Sequence, residues 1–236
     1  RMIAGNHQVK EVLNAERELD HSRSKLLEDA GEQLKTRTDH IAGLSTQITN
    51  DDTGKRIIQQ GIERLQELAR AFSLVCKLEV QTLVPKMMPV TAKTLATEVI
   101  EPFRQELLDK KLNLTIVGFK ESVHLTTNKP LAELTLKSLI QNAIQASKEG
   151  DSLMVKCLSS EGHVAFQVID HGEGIPKEKI SQLFKPFVRV GPVTTFNREG
   201  IGLSLFLDRL IMHSLGGEVE IMSKFKQGTV ATLTFK

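Results

Sequence analysis

Four short patterns, which follow one another in a fixed order, carry residue types that could do chemistry together. They are Asn142-Ala-Ile-Gln-Ala, Asp170-His-Gly-Glu-Gly-Ile-Pro, Phe184-Lys-Pro-Phe187 and Gly200-Ile-Gly-Leu203. A carboxylate that follows an apolar strand can accept hydrogen bonds from an amine, and nearby glycines let backbone and ligand approach closely. An asparagine oxygen suits a hard cation such as Mg²⁺, and a helix that opens after glycines presents backbone N–H groups to anions. Each pattern alone is weak evidence, because an isolated Asp-x-Gly-x-Gly is most often a plain turn.

Taken together, the four patterns resemble the N box, first glycine box, F box and second glycine box of sensor histidine kinases. That family shares its ATP-binding fold with Hsp90, type II topoisomerases and MutL. The resemblance implies that Asp170 accepts the adenine amine, that Asn142 holds Mg²⁺ and that the second glycine box faces the phosphates. The ATP-binding residues expected on this basis are Asn142, Asp170, Gly172, Gly174, Gly200, Ile201, Gly202, Leu203 and Thr229.

The stretch from Val188 to Glu199 has no hydrophobic period and contains glycine, proline, threonine and asparagine. It is interpreted as a mobile lid over the triphosphate. Candidate cations for the phosphates are Lys148, Lys185, Arg189 and Arg198. The alternative for these four side chains is that they are solvated surface charges.

The segments around the patterns predict one α/β sandwich, with a mixed sheet and helices on one face. An amphipathic helix is expected over residues 90–109, with apolar residues at every fourth position, and a second helix should begin at Pro130. Strands are expected over residues 112–117, 123–125, 152–157, 163–170, 218–222 and 229–235. A third helix, over residues 203–214, should end at Gly216 and Gly217.

The first eighty or so residues predict a helical hairpin instead, so the fold class is α+β. Leu27, Leu34, Ile41 and Ile48 are spaced by seven, as in the seam of a coiled coil or four-helix bundle, and Ile58, Leu65 and Phe72 repeat this spacing after a break at residues 50–54. Two helices cannot bury such a seam alone, so a homodimer is expected. The predicted domains are residues 1–84, a dimerisation and phosphoacceptor hairpin with an upstream stalk helix, and residues 85–236, an ATP-binding domain.

Composition limits the other classes of function. The net charge of +2 gives no basic field for nucleic acid, and the absence of tryptophan and tyrosine removes the usual aromatic platform for bases or glycans. Cys76 and Cys157 lie in apolar patterns without metal-ligating companions, which favours buried thiols in a reducing cytoplasm. No signal peptide or membrane span is visible in the sequence. The expected location is the cytoplasm, as a soluble protein or as the cytoplasmic portion of a membrane-bound sensor whose sensing region is not in this chain.

The expected phosphoacceptor position departs from the family pattern. Relatives carry a histidine followed by an acid or glutamine, leucine, a basic residue, threonine and proline. The segment that fits is Glu32-Gln-Leu-Lys-Thr36-Arg37, with Glu32 in place of the histidine and Arg37 in place of the proline. A carboxylate cannot form the phosphohistidine that donates to an aspartate. Thr36 matches the polar residue that relatives use to position water for dephosphorylating a response regulator.

Three histidines elsewhere in the hairpin leave the identity of the phosphoacceptor open. His21, His40 and His7 lie outside the expected register, although each could accept phosphate in a different one. Glu32 could also be an engineered stand-in for phosphohistidine, and the sequence does not separate this from a natural substitution. Two smaller departures are Ser138, where the N box usually has a second asparagine, and Gln145, where many relatives carry lysine.

The resemblance therefore implies the cytoplasmic core of a two-component sensor histidine kinase, which transfers the γ-phosphoryl group of ATP to a histidine and on to a response regulator aspartate. The alternative is a degenerate kinase or phosphomimetic form that acts as a dimeric ATP-binding scaffold or response-regulator phosphatase. The input signal and the cognate regulator are not encoded in these patterns.

Overall fold

The computed structural model of the protein describes residues 83–160, 162–188 and 202–236, together with 68–75, 77–78 and the single positions 22, 30, 33, 36, 37, 61 and 65. The chain divides into two compact units, Arg1–Ser73 and Leu74–Lys236. Every described residue of the first unit is helical.

The second unit is built on a five-stranded sheet with the order β2-β4-β5-β7-β6. Its strands are β2 (Asn113–Val117), β4 (Ser152–Ser160), β5 (His163–Asp170), β6 (Glu218–Lys224) and β7 (Gly228–Phe235). The β2–β4 pair is parallel and the other pairs are antiparallel. The predicted mixed sheet is therefore confirmed.

One face of the sheet carries a continuous set of buried apolar side chains on β4 and β5. Leu153, Val155 and Cys157 on β4 and Val164, Phe166 and Val168 on β5 are buried, and each alternates with less buried residues. This period of two places one set of side chains against the helices. Burial of Cys157 agrees with its predicted role as a small apolar core residue.

The helices cover that face. They are α1 (Ala92–Ile100), α2 (Arg104–Asp109), α3 (Lys129–Ala146), the short α4 (Lys177–Ile180) and α5 (Ser204–Ser214), with a 3₁₀ turn at Glu101–Phe103. Helix α3 packs on β5 and β7, α5 packs on β6, and α3 also contacts α1 and α5. The central helix α3 is thus the element against which the others are placed.

The helix ends follow the expected local chemistry. The side chain of Asn128 accepts a hydrogen bond from the Leu131 amide at the start of α3, and a proline occupies the first turn. At the end of α5, the Gly217 amide donates to the Met212 carbonyl oxygen at 2.8 Å and the Gly216 amide donates to the His213 carbonyl oxygen at 3.1 Å. These two bonds close the last turn and direct the chain into β6.

One detail of the predicted elements was wrong. Val90 belongs to a short strand, β1 (Met88–Thr91), which pairs antiparallel with β3 (His124–Thr127), so helix α1 begins two residues later than predicted. Thr91 then caps that helix by accepting from the Thr94 amide.

The N-terminal hairpin and its homodimer stay predictions. Of the predicted seam residues, Leu65 and Phe72 are half-buried. The other seam positions lie outside the described residues. The division at residues 84 and 85 likewise stays a prediction. Within the described ranges, no helix combines the length and apolar character that crossing a membrane requires.

A buried polar contact joins the two main helices of the second unit. Ser138 on α3 donates to the Asp208 Oδ2 on α5 at 2.7 Å, and Asp208 is 1% exposed. Burial raises the pKa of the Asp208 carboxyl well above its ordinary value of 3.8, and the single hydrogen bond from Ser138 offsets this only in part. The contact therefore places a costly ionisable group in the core.

Replacement of Asp208 by asparagine should stabilise the protein at neutral pH. Because the pKa of the folded state is raised, stability falls as pH rises from about 4 through that pKa, and the neutral amide removes this loss while still accepting from Ser138. Denaturant unfolding of Asp208→Asn between pH 5 and pH 8 should show a gain that grows with pH. The exposed Asp109→Asn is the control, and a pH-independent effect at Asp208 would contradict the expectation.

Candidate functional site

The site is organised around one row of side chains across the sheet. Asp170 ends β5, and it lies directly opposite Thr229 on β7, which in turn lies opposite Ser223 on β6. Directly opposed residues on neighbouring strands share a face, with Cβ atoms roughly 5 Å apart. The predicted residues Asp170 and Thr229 are therefore neighbours, and Ser223 joins them.

Asp170 is a buried acceptor held by backbone amides. It is 5% exposed, and its Oδ1 accepts from the Gly172 amide at 2.9 Å. Burial raises the pKa of this carboxyl, whereas hydrogen bonds from the amides of Gly172 and Thr229 lower it. These amides orient the carboxylate, and its remaining lone pairs can accept from a ligand amine.

The turn after Asp170 lies in close contact with the end of α3 and with the end of β6. A Cβ atom on Gly172 would lie 2.3 Å from the carbonyl oxygen of Ala146, at the end of α3. A Cβ atom on Gly174, whose φ is +63°, would lie 2.1 Å from the carbonyl oxygen of Lys224, at the end of β6. Only glycine fits at either position, so this turn brings the end of α3 against the end of β5.

Asn142 lies on α3 one turn before Ala146. Asn142 is half-buried. Within the described ranges, its side-chain amide makes no hydrogen bond. An unpaired side-chain oxygen in that position fits the chemistry of a Mg²⁺ ligand. Ser138, one turn earlier, points instead to Asp208, so the position that departs from the usual N box has a structural partner in this protein.

The F box is anchored to α5 and to the second glycine box. The guanidinium of Arg209 lies 5.6 Å from the Phe184 ring centroid, and the Phe187 amide donates to the Gly202 carbonyl oxygen at 2.9 Å. Leu203 directly precedes α5, and its side chain is buried in the core. Only the backbone of Leu203 is therefore available to a ligand.

The remaining predicted residues divide into two groups. Lys148 and Lys185 are exposed, with the Lys148 backbone amide donating to the Asp151 carboxylate. Thr36 is an exposed helical residue of the first unit. The others lie outside the described residues, namely Glu32, Arg189, Arg198, Gly200 and Ile201, as do His7, His21 and His40.

Sequence reasoning missed two polar residues. Asp208 lies three and four positions before the buried Ile211 and Met212, and this helical spacing could have placed it on the buried face. Ser223 had a weaker signal, because it is an ordinary polar residue near the end of a strand. Its role depends on contacts with residues far from it in the chain.

The comparisons with known proteins agree with this geometry. Residues 127–236 match the family described as histidine kinase-, DNA gyrase B- and HSP90-like ATPase. The sensor protein SrrB of Staphylococcus aureus is 26% identical over 231 residues, which cover 94% of this chain and 39% of that protein. The chain thus spans well under half the length of the curated relatives it matches.

Two solved structures share the fold. The histidine kinase AdeS of Acinetobacter baumannii has a TM-score of 0.72 at 21% identity, covering 86% of this chain and 96% of that one. The histidine kinase ThkA, solved in complex with the response regulator protein TrrA, has a TM-score of 0.68 at 18% identity, covering 87% of this chain and 59% of that one.

Residues 127–236 thus match an ATP-binding domain of the type shared by histidine kinases, DNA gyrase B and HSP90. The chain as a whole is similar to sensor histidine kinases.

Replacement of Asp170 by asparagine should weaken adenine nucleotide binding. An amide presents hydrogens where the site needs an acceptor, and the expected loss is about 1–3 kcal/mol, or roughly 5- to 150-fold in Kd. Titration calorimetry with ADP tests this, with the exposed Glu218→Gln as the control. Equal affinity in Asp170→Asn and the unmodified chain would refute the assigned role of Asp170.

Proposed function

We propose that this chain binds ATP with Mg²⁺ and forms the kinase core of a two-component sensor, which transfers the γ-phosphoryl group to a histidine and from there to a response regulator aspartate. The observation that carries the proposal is the close packing of the Gly172 turn on the end of α3 at Ala146. This packing supports a single pocket, because it joins the buried acceptor Asp170 to the helix that carries Asn142.

Each residue has a distinct role in this proposal. Asp170 and Thr229 contact the base, Asn142 supplies an oxygen to Mg²⁺, and the N-terminus of α5 faces the phosphates. Bound Mg²⁺ would supply positive charge to the phosphate oxygens. Helix α5 begins without a side-chain cap and without acidic residues in its first turn, which supports an anion there.

The lid residues complete the charge balance of the proposed site. Gly200 and Ile201 lead into the helix, and Arg189 and Arg198 are positioned by sequence between the F box and the second glycine box. With Lys148 and Lys185 they are the cations proposed to neutralise the phosphates during an in-line transfer. The transfer itself needs positioning and charge neutralisation more than covalent chemistry from the protein.

The partners proposed for the core follow from its relatives. ThkA is described in complex with a response regulator, which supports a receiver domain as the partner here. A homodimer through the N-terminal hairpin is proposed from the seven-residue seam. Since the chain covers 39% of SrrB, we also propose that it is the cytoplasmic portion of a longer, membrane-bound sensor.

A second function is favoured by one specific observation, the glutamate at position 32. Glutamate has no ring nitrogen, so a chain with Glu32 at the acceptor position would bind ATP without forming phosphohistidine. Such a chain would act as a dimeric ATP-binding scaffold or as a response-regulator phosphatase. Thr36, which is helical and exposed, would then position the hydrolytic water.

The Glu32→His variant should separate these functions. Incubation with γ-labelled ATP should leave the unmodified chain unlabelled, whereas Glu32→His should acquire acid-labile, alkali-stable label at least about tenfold above it, because Leu34, Lys35 and Thr36 are already present. The double variant Glu32→His/Asp170→Asn is the control for dependence on the nucleotide site. Label on His21 or His40 of the unmodified chain would contradict the register, and an unlabelled Glu32→His that still binds ATP would favour the scaffold.

Replacement of Leu34 or Ile41 by aspartate should break the proposed dimer. An unpaired charge in a buried seam should raise the dimer dissociation constant by at least about 100-fold. Light scattering at micromolar concentration measures this directly. Ser22→Asp, at an exposed helical position of the same unit, is the matched control. A folded monomer for the unmodified chain would refute the dimer.

A further inference from the structure

Ser223 on β6 is the centre of a hydrogen-bond cluster beside the row that holds Asp170. Its Oγ lies 2.8 Å from the Gly228 carbonyl oxygen, 2.8 Å from the Ile175 amide nitrogen and 2.9 Å from the Thr229 Oγ1. These contacts connect the turn after Asp170, strand β6 and the start of β7. None of the four sequence patterns includes Ser223.

The donors and acceptors in this cluster have one arrangement that satisfies all three contacts. A carbonyl oxygen can only accept, so Ser223 must donate its single hydrogen to Gly228. An amide can only donate, so Ile175 fills one lone pair of Ser223. The Thr229 hydroxyl must then donate to the second lone pair of Ser223, which leaves the Thr229 oxygen as an acceptor toward its remaining surroundings.

The register of β5 and β7 places the Thr229 hydroxyl oxygen beside the Asp170 carboxylate. Asp170 and Thr229 are directly opposed on β5 and β7 and share a face of the sheet. Asp170 is also an acceptor, since the Gly172 and Thr229 amides donate to it. Two adjacent acceptors match a group that carries two hydrogens, such as an exocyclic amine, and they do not match a ring that lacks it.

We propose that Ser223 is a positioning residue for base selection, which fixes the Thr229 hydroxyl as a hydrogen-bond acceptor beside Asp170 so that the site prefers a purine with an exocyclic amine. The inference rests on the proposed nucleotide function and deepens it. Ser223 acts through Thr229 and does not itself contact the base.

A purely structural role for Ser223 predicts a different result. Loss of the serine hydroxyl also removes the acceptor of the Ile175 amide and would loosen the turn after Asp170. A looser turn should weaken every nucleotide alike. Release of the Thr229 hydroxyl should instead weaken only the recognition of the amine, because the freed O–H can turn its hydrogen toward the base.

The test compares ATP with purine riboside triphosphate, which lacks the amine. The dissociation constants of both are measured by calorimetry with Mg²⁺ for the full chain, Ser223→Ala, Ser223→Thr and Thr229→Val. In Ser223→Ala the preference for ATP should fall about five-fold, the share of one hydrogen bond. Ser223→Thr keeps a hydroxyl and should keep the preference. Ser223→Ala added to Thr229→Val should change the preference no further.

The possible outcomes distinguish a failure of the inferred role of Ser223 from a failure of the proposed nucleotide binding. If the unmodified chain binds neither nucleotide, the proposed function fails and the inference fails with it. If ATP binds and Ser223→Ala weakens both nucleotides equally, the inference alone is overturned. If Ser223→Ala does not fold, Thr229→Val decides: a reduced preference for ATP supports the inference, and an unchanged preference overturns it.

Discussion

The proposed site depends on the contact between the Gly172 turn and the end of helix α3. Without a side chain at residue 172, the backbone after β5 lies against the carbonyl oxygen of Ala146, where a Cβ atom would be only 2.3 Å away. This contact sets the distance between the strand that ends in Asp170 and the helix that carries Asn142. The same turn is held from the other side, where the Lys226 amide donates to the Glu173 carbonyl oxygen at 2.6 Å and Ile175 donates to Ser223. The turn therefore fixes the position of the proposed site relative to both the sheet and the helices.

Two buried carboxyl groups in this domain differ in role because they have different hydrogen-bond partners. Burial raises the pKa of both Asp170 and Asp208. Asp170, at the end of β5, is oriented by backbone amides, which favour its charged form and leave lone pairs for a ligand. Asp208 lies between two helices with the Ser138 hydroxyl as its partner, so it is a polar link inside the core. Apolar residues directly precede each of the two in the sequence, and the difference arises from which groups the fold brings to them.

Much of the second unit could be predicted because its local patterns agree with its tertiary environment. The alternation in β4 and β5, the proline that opens α3 and the glycines that close α5 each specify an element through neighbouring residues. Predictions failed where a long-range partner decides the structure. Val90 is a strand residue because it pairs with Leu125, 35 positions away. Periodicity alone does not contain this information.

The sequence by itself determined the order of the four motifs, the class of domain and the residue types that could bind a nucleotide. It also determined that position 32 is a glutamate, a chemical fact that no fold changes, since a carboxylate lacks the nitrogen of an imidazole. The tertiary structure alone decided that Asp170, Thr229 and Ser223 form one row, because strand register is set by pairing between segments distant in the chain. It also decided that Ser138 pairs with Asp208 and that the Leu203 side chain faces the core. Such roles follow from distances between side chains, and only packing sets those distances.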